Sequence, residues 1–219
     1  SIFLKNEGNR YPKFPFLSLT VSGGHTQLVV VNDYNDFKKI GNTLDDAAGE
    51  AFDKTSKFLG LGYPGGPIID NLSKKGNPIF KFSKPKIKDY DFSFSGLKTS
   101  IIYFIKKELK ENSKFIEDNI NDLCSSIQHS IVEILVEKTI KCAIDLNIKQ
   151  ICIVGGVSAN SHLREKLNSE CLINKFDLFY PKINYCTDNA AMIAVSGYFN
   201  HLNKKFSDLD KVIDSRLSF

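Results

Sequence analysis

Phe16-Leu17-Ser18-Leu19-Thr20-Val21-Ser22-Gly23-Gly24-His25-Thr26-Gln27-Leu28-Val29-Val30-Val31 decides the fold class of this chain. Two apolar runs flank a Ser-Gly-Gly-His-Thr turn, a pattern that predicts a β-hairpin. Residues 32–36 supply the next turn and 37–43 a third strand, so antiparallel strands open the domain. The glycine device recurs where Ile151-Cys152-Ile153-Val154 ends in Gly155-Gly156. Glycine pairs at strand ends let backbone N–H groups approach a phosphate, and a helix N-terminus after the second pair would add favourable partial charge. Neither pair fits G-x-x-x-x-G-K-[ST] or G-x-G-x-x-G, so the two common nucleotide-binding folds are disfavoured. A lone Gly-Gly is more often a plain turn; its repetition at two strand ends raises the weight of a phosphate cradle and leaves both readings open.

Beyond the hairpin, Leu44, Ala47, Ala51, Phe52, Thr55, Phe58 and Leu59 recur at helical spacing, which predicts a helix over 44–61 with Asp45 and Asp46 at its positive end. Pro64-Gly65-Gly66-Pro67 breaks it, a short helix follows over 68–72, and 78–91 is irregular and rich in lysine. Apolar residues every three or four positions over 97–109 and 116–146 predict two packed helices. The run 148–154 is a strand, Ser158 or Asn160 caps a helix through 167, 176–180 is a strand, and Thr187 or Asp188 caps a helix to about 200. This order fits an α/β, ribonuclease-H-like lobe of the actin type, with a mixed sheet opened by an antiparallel hairpin and an inserted helical segment. Order alone also allows other α/β folds.

The 219 residues suffice for one large domain or two small ones, and 42% hydrophobic with 25% charged residues is a globular composition. No apolar stretch approaches the ~18 residues that span a bilayer, so no membrane association is expected. Five cysteines without C-x-x-C spacing, mostly within apolar segments, suggest reduced thiols and a cytoplasmic protein. The four histidines are isolated in sequence, which excludes a histidine-rich metal site built from local motifs. The net charge is +4, but six lysines fall between Lys74 and Lys88. Such a run is either a phosphate-facing loop or, more plainly, a solvated surface.

Asp46, Glu50 and Asp53 are spaced i, i+4, i+7 and would share one helix face. Asp53 lies more than a turn inside, where a ribose hydroxyl, a cation or solvent must satisfy it. Asp188, at a strand-to-helix junction, is a metal ligand or an N-cap.

Taken together, Val21-Ser22-Gly23-Gly24-His25-Thr26-Gln27, the stretch 45–54 (Asp-Asp-Ala-Ala-Gly-Glu-Ala-Phe-Asp-Lys), Tyr63-Pro64-Gly65-Gly66-Pro67, the stretch 92–99 (Phe-Ser-Phe-Ser-Gly-Leu-Lys-Thr), Gly155-Gly156-Val157-Ser158-Ala159-Asn160 and Cys186-Thr187-Asp188-Asn189 resemble the TsaD family of tRNA threonylcarbamoyladenosine-forming transferases. The resemblance implies an actin-like ATPase-superfamily acyltransferase. Such an enzyme moves the threonylcarbamoyl group from threonylcarbamoyl-AMP to N6 of the adenosine beside the anticodon, in tRNAs reading codons that begin with A. It further implies that Thr20, Val21, Ser22, Gly23 and Gly24 lie against the adenylate (or ATP), and that Asp53, Gly66, Asp70 and Asn160 contact the nucleotide or its acyl group. Asp188 is implied to bind one divalent metal, iron or zinc. The implied partners are tRNA, a small actin-like paralogue and a P-loop ATPase.

One departure is expected to matter. The family's H-x-x-x-H pair, which supplies other metal ligands, precedes the segment matching residues 2–14 and is absent from these residues. On this reading 1–13 leads in from a missing first lobe, 14–202 is the second lobe with an insert at about 62–146, and 203–219 returns toward the missing lobe. The fragment alone is then expected to be inactive, with Asp188 an orphan ligand. The competing expectations are an actin-type small-molecule kinase lobe and a noncatalytic scaffold paralogue of the tRNA-modifying complex.

Overall fold

The hairpin forms as its pattern predicts. In the computed structural model, which describes residues 2–3, 10–208 and 210–212, β1 (Phe16–Val21) pairs antiparallel with β2 (Thr26–Asp33), and β2 with β3 (Asp36–Asn42). The other edge of β1 takes β4 (Gln150–Val154) in parallel, and β5 (Asp177–Phe179) follows, giving the order β3-β2-β1-β4-β5. A parallel β1–β4 pair needs a long crossover, and the helices between them supply it. Parts of the expected lead-in (residues 1 and 4–9) and of the expected tail (209 and 213–219) lie outside the described residues.

The crossover holds α1 (Ala48–Phe58), α2 (Gly65–Ser73), α3 (Ser95–Glu111) and α4 (Phe115–Asp145); α5 (Ser161–Asn174) and α6 (Ala190–Leu202) follow β4 and β5. Leu17, Leu19 and Ile153 of the sheet bury against Phe52, Ile101 and Ile131 of the helices in the main core. A smaller cluster of Phe16, Val29, Val31 and Cys152 also forms within the sheet. The long α4 bends at Asn119, whose φ of −121° is non-helical. The Asn119 side chain donates to the Phe115 carbonyl at 2.9 Å, competing with the backbone ladder.

The helix expected from residue 44 starts only at Ala48, because the two aspartates before it have partners elsewhere. Asp45 accepts from the Ser93 hydroxyl (2.5 Å), the Phe94 N–H (2.8 Å) and the Ser95 N–H (3.3 Å), so it caps α3 rather than α1. Asp46 accepts from Lys54 at 2.8 Å and Lys98 at 2.7 Å. Burial pushes the Asp46 carboxyl up, but the hydrogen-bonded ammonium groups of Lys54 and Lys98 outweigh it and hold the pKa below its ordinary value. A depressed folded-state pKa stabilises the fold above the unfolded value, roughly 3.9, and that contribution is lost as pH falls through the folded value. Asp46→Asn is therefore expected to lower the melting temperature at pH 7 and to flatten its decline below about pH 4. A melting series from pH 2 to pH 7 checks this; parallel curves for wild type and variant would contradict it.

All five cysteines are free and buried. Burial pushes the thiols of Cys124 and Cys171 up to about 12 and that of Cys142 up to about 11, so they stay protonated at neutral pH. Among the described residues, no helix is long and apolar enough to cross a membrane.

Candidate ligand-binding site

Two strand ends and one helix start converge through close backbone approaches at two glycines. Gly155, leaving β4, has φ +93°, and a Cβ there would lie 2.3 Å from the Val21 carbonyl oxygen at the end of β1. Gly49 in the first turn of α1 also packs tightly on the hairpin turn, since a Cβ would lie 2.6 Å from the Ser22 carbonyl oxygen. Its N–H donates to that oxygen at 3.1 Å, and the Ala48 N–H donates to the Thr26 hydroxyl at 2.9 Å, so the hairpin caps α1. From the opposite side, Asp53 of α1 reaches α2, its Oδ1 accepting from the Gly65 N–H at 2.7 Å.

Between these elements lies a cavity of about 490 Å³, walled in part by Gly23, Asp53, Gly66, Asp70, Gly156 and Asn160. That volume suits a small-molecule ligand. Five of the residues expected to bind the adenylate, Gly23, Asp53, Gly66, Asp70 and Asn160, meet in its walls. Thr20, Val21, Ser22 and Gly24 are not in the lining. Thr20 pairs with Gln27 and Val154 within the sheet, and Val21 is fully buried. The Ser22 hydroxyl closes the turn by accepting from the Gly24 and His25 N–H groups at 3.3 and 3.0 Å. These four residues shape the strand end that presents Gly23.

Of the three carboxylates expected on one face, Asp46 and Glu50 stay together on the Lys54 ammonium, at 2.8 Å each, and Asp53 parts from them. Asp46 lies before the helix, and only Asp53 enters the cavity wall. Of the two caps expected for the helix after Gly155-Gly156, Asn160 is the one the structure uses. A 3-10 turn, Gly156–Ala159, intervenes, and α5 begins after Asn160, whose Oδ1 accepts from the Leu163 N–H at 2.9 Å. Asp70 Oδ1 accepts from the Ser161 N–H at 3.2 Å and its hydroxyl at 2.7 Å. The positive end of α5 is thus already complemented by a carboxylate, whereas Gly66 in the first turn of α2 lines the cavity directly.

Sequence reasoning missed two contributors. Gln128 of α4 is buried, accepts from the Asn160 amide at 2.7 Å and donates to the Ser73 hydroxyl at 2.7 Å, tying α2, α4 and α5 together beneath the cavity. A glutamine within the apolar stripe of a long helix was the available signal. Lys74 also lines the cavity and lies 3.4 Å from Asp70, one turn earlier on α2. The i, i+4 spacing of Asp70 and Lys74 could have revealed it.

Asp188 is exposed and lies outside the lining, although its neighbour Thr187 is within it. Neither residue caps α6; Asn189 does, its Oδ1 accepting from the Met192 N–H at 3.2 Å. Among the described residues no three His, Cys, Asp or Glu side chains converge as a metal-holding group, so these residues alone do not fit a metal ion. His129 and His162, isolated in sequence, approach each other between α4 and α5 with ring centroids 5.7 Å apart, and neither lines the cavity.

A family model described as "TsaD: tRNA N6-adenosine threonylcarbamoyltransferase" matches residues 2–195. A tRNA N6-adenosine threonylcarbamoyltransferase of Riemerella anatipestifer is 52% identical over 98% of this chain and 63% of its own length. One of Phocaeicola vulgatus is 51% identical over 97% of this chain and 63% of its own length. The chain therefore spans about 63% of the length of these curated relatives. Among solved structures, full-length HypF in a phosphate- and nucleotide-bound form superposes with a TM-score of 0.64 at 10% identity, covering 88% of this chain and 34% of HypF. At that identity the likeness concerns the fold alone, and it agrees with an α/β lobe built on a mixed sheet.

Proposed function

The chain belongs to the tRNA N6-adenosine threonylcarbamoyltransferase family, and from that premise we propose that it is the adenylate-binding lobe of a longer enzyme transferring the threonylcarbamoyl group from threonylcarbamoyl-AMP to N6 of the adenosine beside the tRNA anticodon. The observation that carries this reading is the cavity in which Gly23, Asp53, Gly66, Asp70 and Asn160 converge. Gly23 and Gly66 offer backbone to a phosphate without side-chain obstruction. The carboxylate of Asp53, fixed by the Gly65 N–H, suits a ribose hydroxyl. Asn160, oriented by Gln128 and the Leu163 N–H, suits a polar acyl group. Lys74 is placed to balance the charge of an anionic ligand.

The reaction needs no nucleophilic side chain. The N6 amine forms a bond to the carbamoyl carbon, the C–O bond to the phosphate breaks, AMP leaves with that electron pair, and the amine sheds a proton. The mixed anhydride is already activated, so holding it beside the amine supplies much of the rate. Asp188, freed from capping by Asn189, is proposed to give one ligand to an iron or zinc ion whose other ligands lie outside this chain. The parent is proposed to act in the cytoplasm with tRNA, a small actin-like paralogue and a P-loop ATPase.

The test uses the full-length parent with threonylcarbamoyl-AMP and tRNA. One AMP is expected per modified adenosine, with no phosphoryl transfer. Asp188→Ala is expected to lower metal content and modification together. Phosphoryl transfer to a small substrate would sink the reading, and normal metal content with normal activity in the variant would remove Asp188 from it.

A further inference from the structure

The charge of this chain is concentrated in one region. Residues 74–114 hold eleven lysines against four Asp and Glu, a net +7, so the remainder of the chain sums to −3 of the total +4. Helix α3 carries four of those lysines. Leu97, Ile101 and Ile105 are buried, while Tyr103, Lys106, Lys107 and Lys110 are exposed and fall within about 100° of arc on the opposite side. Tyr103 is 71% exposed, an unusual position for an aromatic ring midway along a helix.

The lysine-rich segment before α3 widens this stripe. It is held along one flank of the helix by the Ser83 N–H donating to the Ser100 hydroxyl at 3.0 Å and by Phe80 and Phe82 packing on Phe104. Lys84 turns away to Glu133 and Glu137 of α4, at 2.8 and 2.9 Å. Lys81 and Lys86 remain exposed, and neither they nor Lys106, Lys107 and Lys110 make an ion pair among the described residues. The nearby acidic residues of α3 are Glu108, on the flank toward the core, and Glu111 at its end.

We propose that the outer face of α3, with Lys81 and Lys86 beside it, is the surface on which this lobe holds the tRNA phosphate backbone, with Tyr103 stacking on an unpaired base. This rests on the reading of the parent as a tRNA-modifying enzyme. Unpaired lysines spaced along a rigid helix match a polyanion with regular charges, and binding then releases counterions. An exposed aromatic ring among those lysines is what single-stranded loop bases stack upon. No such pairing of charge and ring is required of a surface that is merely solvated.

The experiment measures tRNA binding by the 219-residue chain, by fluorescence anisotropy from 50 to 300 mM salt. It compares wild type, K106E/K107E/K110E, Tyr103→Ala, and a control with the same charge change away from α3, K38E/K182E/K205E. The α3 triple variant is expected to lose affinity about tenfold or more at 100 mM salt, and its salt slope is expected to fall by about 2–3. Tyr103→Ala is expected to lose roughly fivefold or more with the slope unchanged, and the control less than about threefold. Equal losses in the α3 and control triples would overturn the proposal, as would binding of vesicles containing phosphatidylserine in preference to tRNA. A wild-type chain that binds AMP but not tRNA overturns the α3 surface and leaves the adenylate cavity standing. One that binds tRNA through α3 but not AMP does the reverse.

Discussion

Gly155→Ala is expected to destabilise the fold by about 3 kcal/mol or more, and the neighbouring Gly156→Ala by less than about 0.5 kcal/mol. The contrast comes from backbone geometry. At φ +93° an L side chain is strained on its own, and the new methyl would sit 2.3 Å from the Val21 carbonyl oxygen, a backbone atom that β1 holds in register with β4. Relief requires the two central strands to part at the end that builds the cavity. At Gly156 the nearest atom is the far methyl of Thr187 at 3.9 Å, an ordinary contact. For a chain of this length the first change corresponds to a fall of roughly 6–12 °C in melting temperature. Urea unfolding of both variants checks the pair, and similar stability in the two would show that Gly155 is not under the constraint its backbone indicates.

The β1–β2 pair was legible because β-hairpin patterning is local: the apolar runs and the glycine turn all lie within the stretch from Phe16 to Val31, whereas the parallel β1–β4 pair joins residues more than 130 apart. Helix starts were less legible because their capping groups come from elsewhere. Asp45 caps a helix that begins about 50 residues later, and the first turn of α1 is satisfied by Thr26 of the hairpin. A reading that assigns each aspartate to the nearest helix cannot see this. At α6 three adjacent residues, Thr187, Asp188 and Asn189, are all competent caps, and only backbone conformation selects Asn189.

The site divides in the same way. Its strand-end glycines, Gly23 and Gly156, were legible from their repetition, and Asp53 from its position inside a helix. Asp70 and Gly66 had no signal apart from resemblance to the family. Gln128 stood out only as a polar residue in an apolar stripe, and its role could not be read: its two partners, Ser73 and Asn160, lie 55 and 32 residues away, and its value exists only once three helices have packed. Replacing a buried hydrogen-bonded amide leaves its partners unsatisfied, so the network that orients Asn160 is also a point of vulnerability in the lobe.

Asp53 separates capping from binding within one side chain. Its Oδ1 accepts from the Gly65 N–H, while no protein partner is found for Oδ2 among the described residues of this cavity wall. Asp53→Ala removes both functions and is expected to cost about 1 kcal/mol in stability through the lost cap. It is also expected to weaken adenylate binding by roughly 10- to 100-fold through the lost charge-assisted hydrogen bond. In Asp53→Asn the amide oxygen still accepts from Gly65, so stability is expected within about 0.5 kcal/mol of wild type, whereas the uncharged group binds a ribose hydroxyl less well and affinity falls by roughly tenfold. AMP titration and urea unfolding on the same three proteins decide the matter. Loss of affinity in both variants with loss of stability only in Asp53→Ala assigns Oδ2 to the ligand. A wild-type affinity in Asp53→Asn reduces the residue to a helix cap and moves the ribose contact to Asp70, the other carboxylate in the lining.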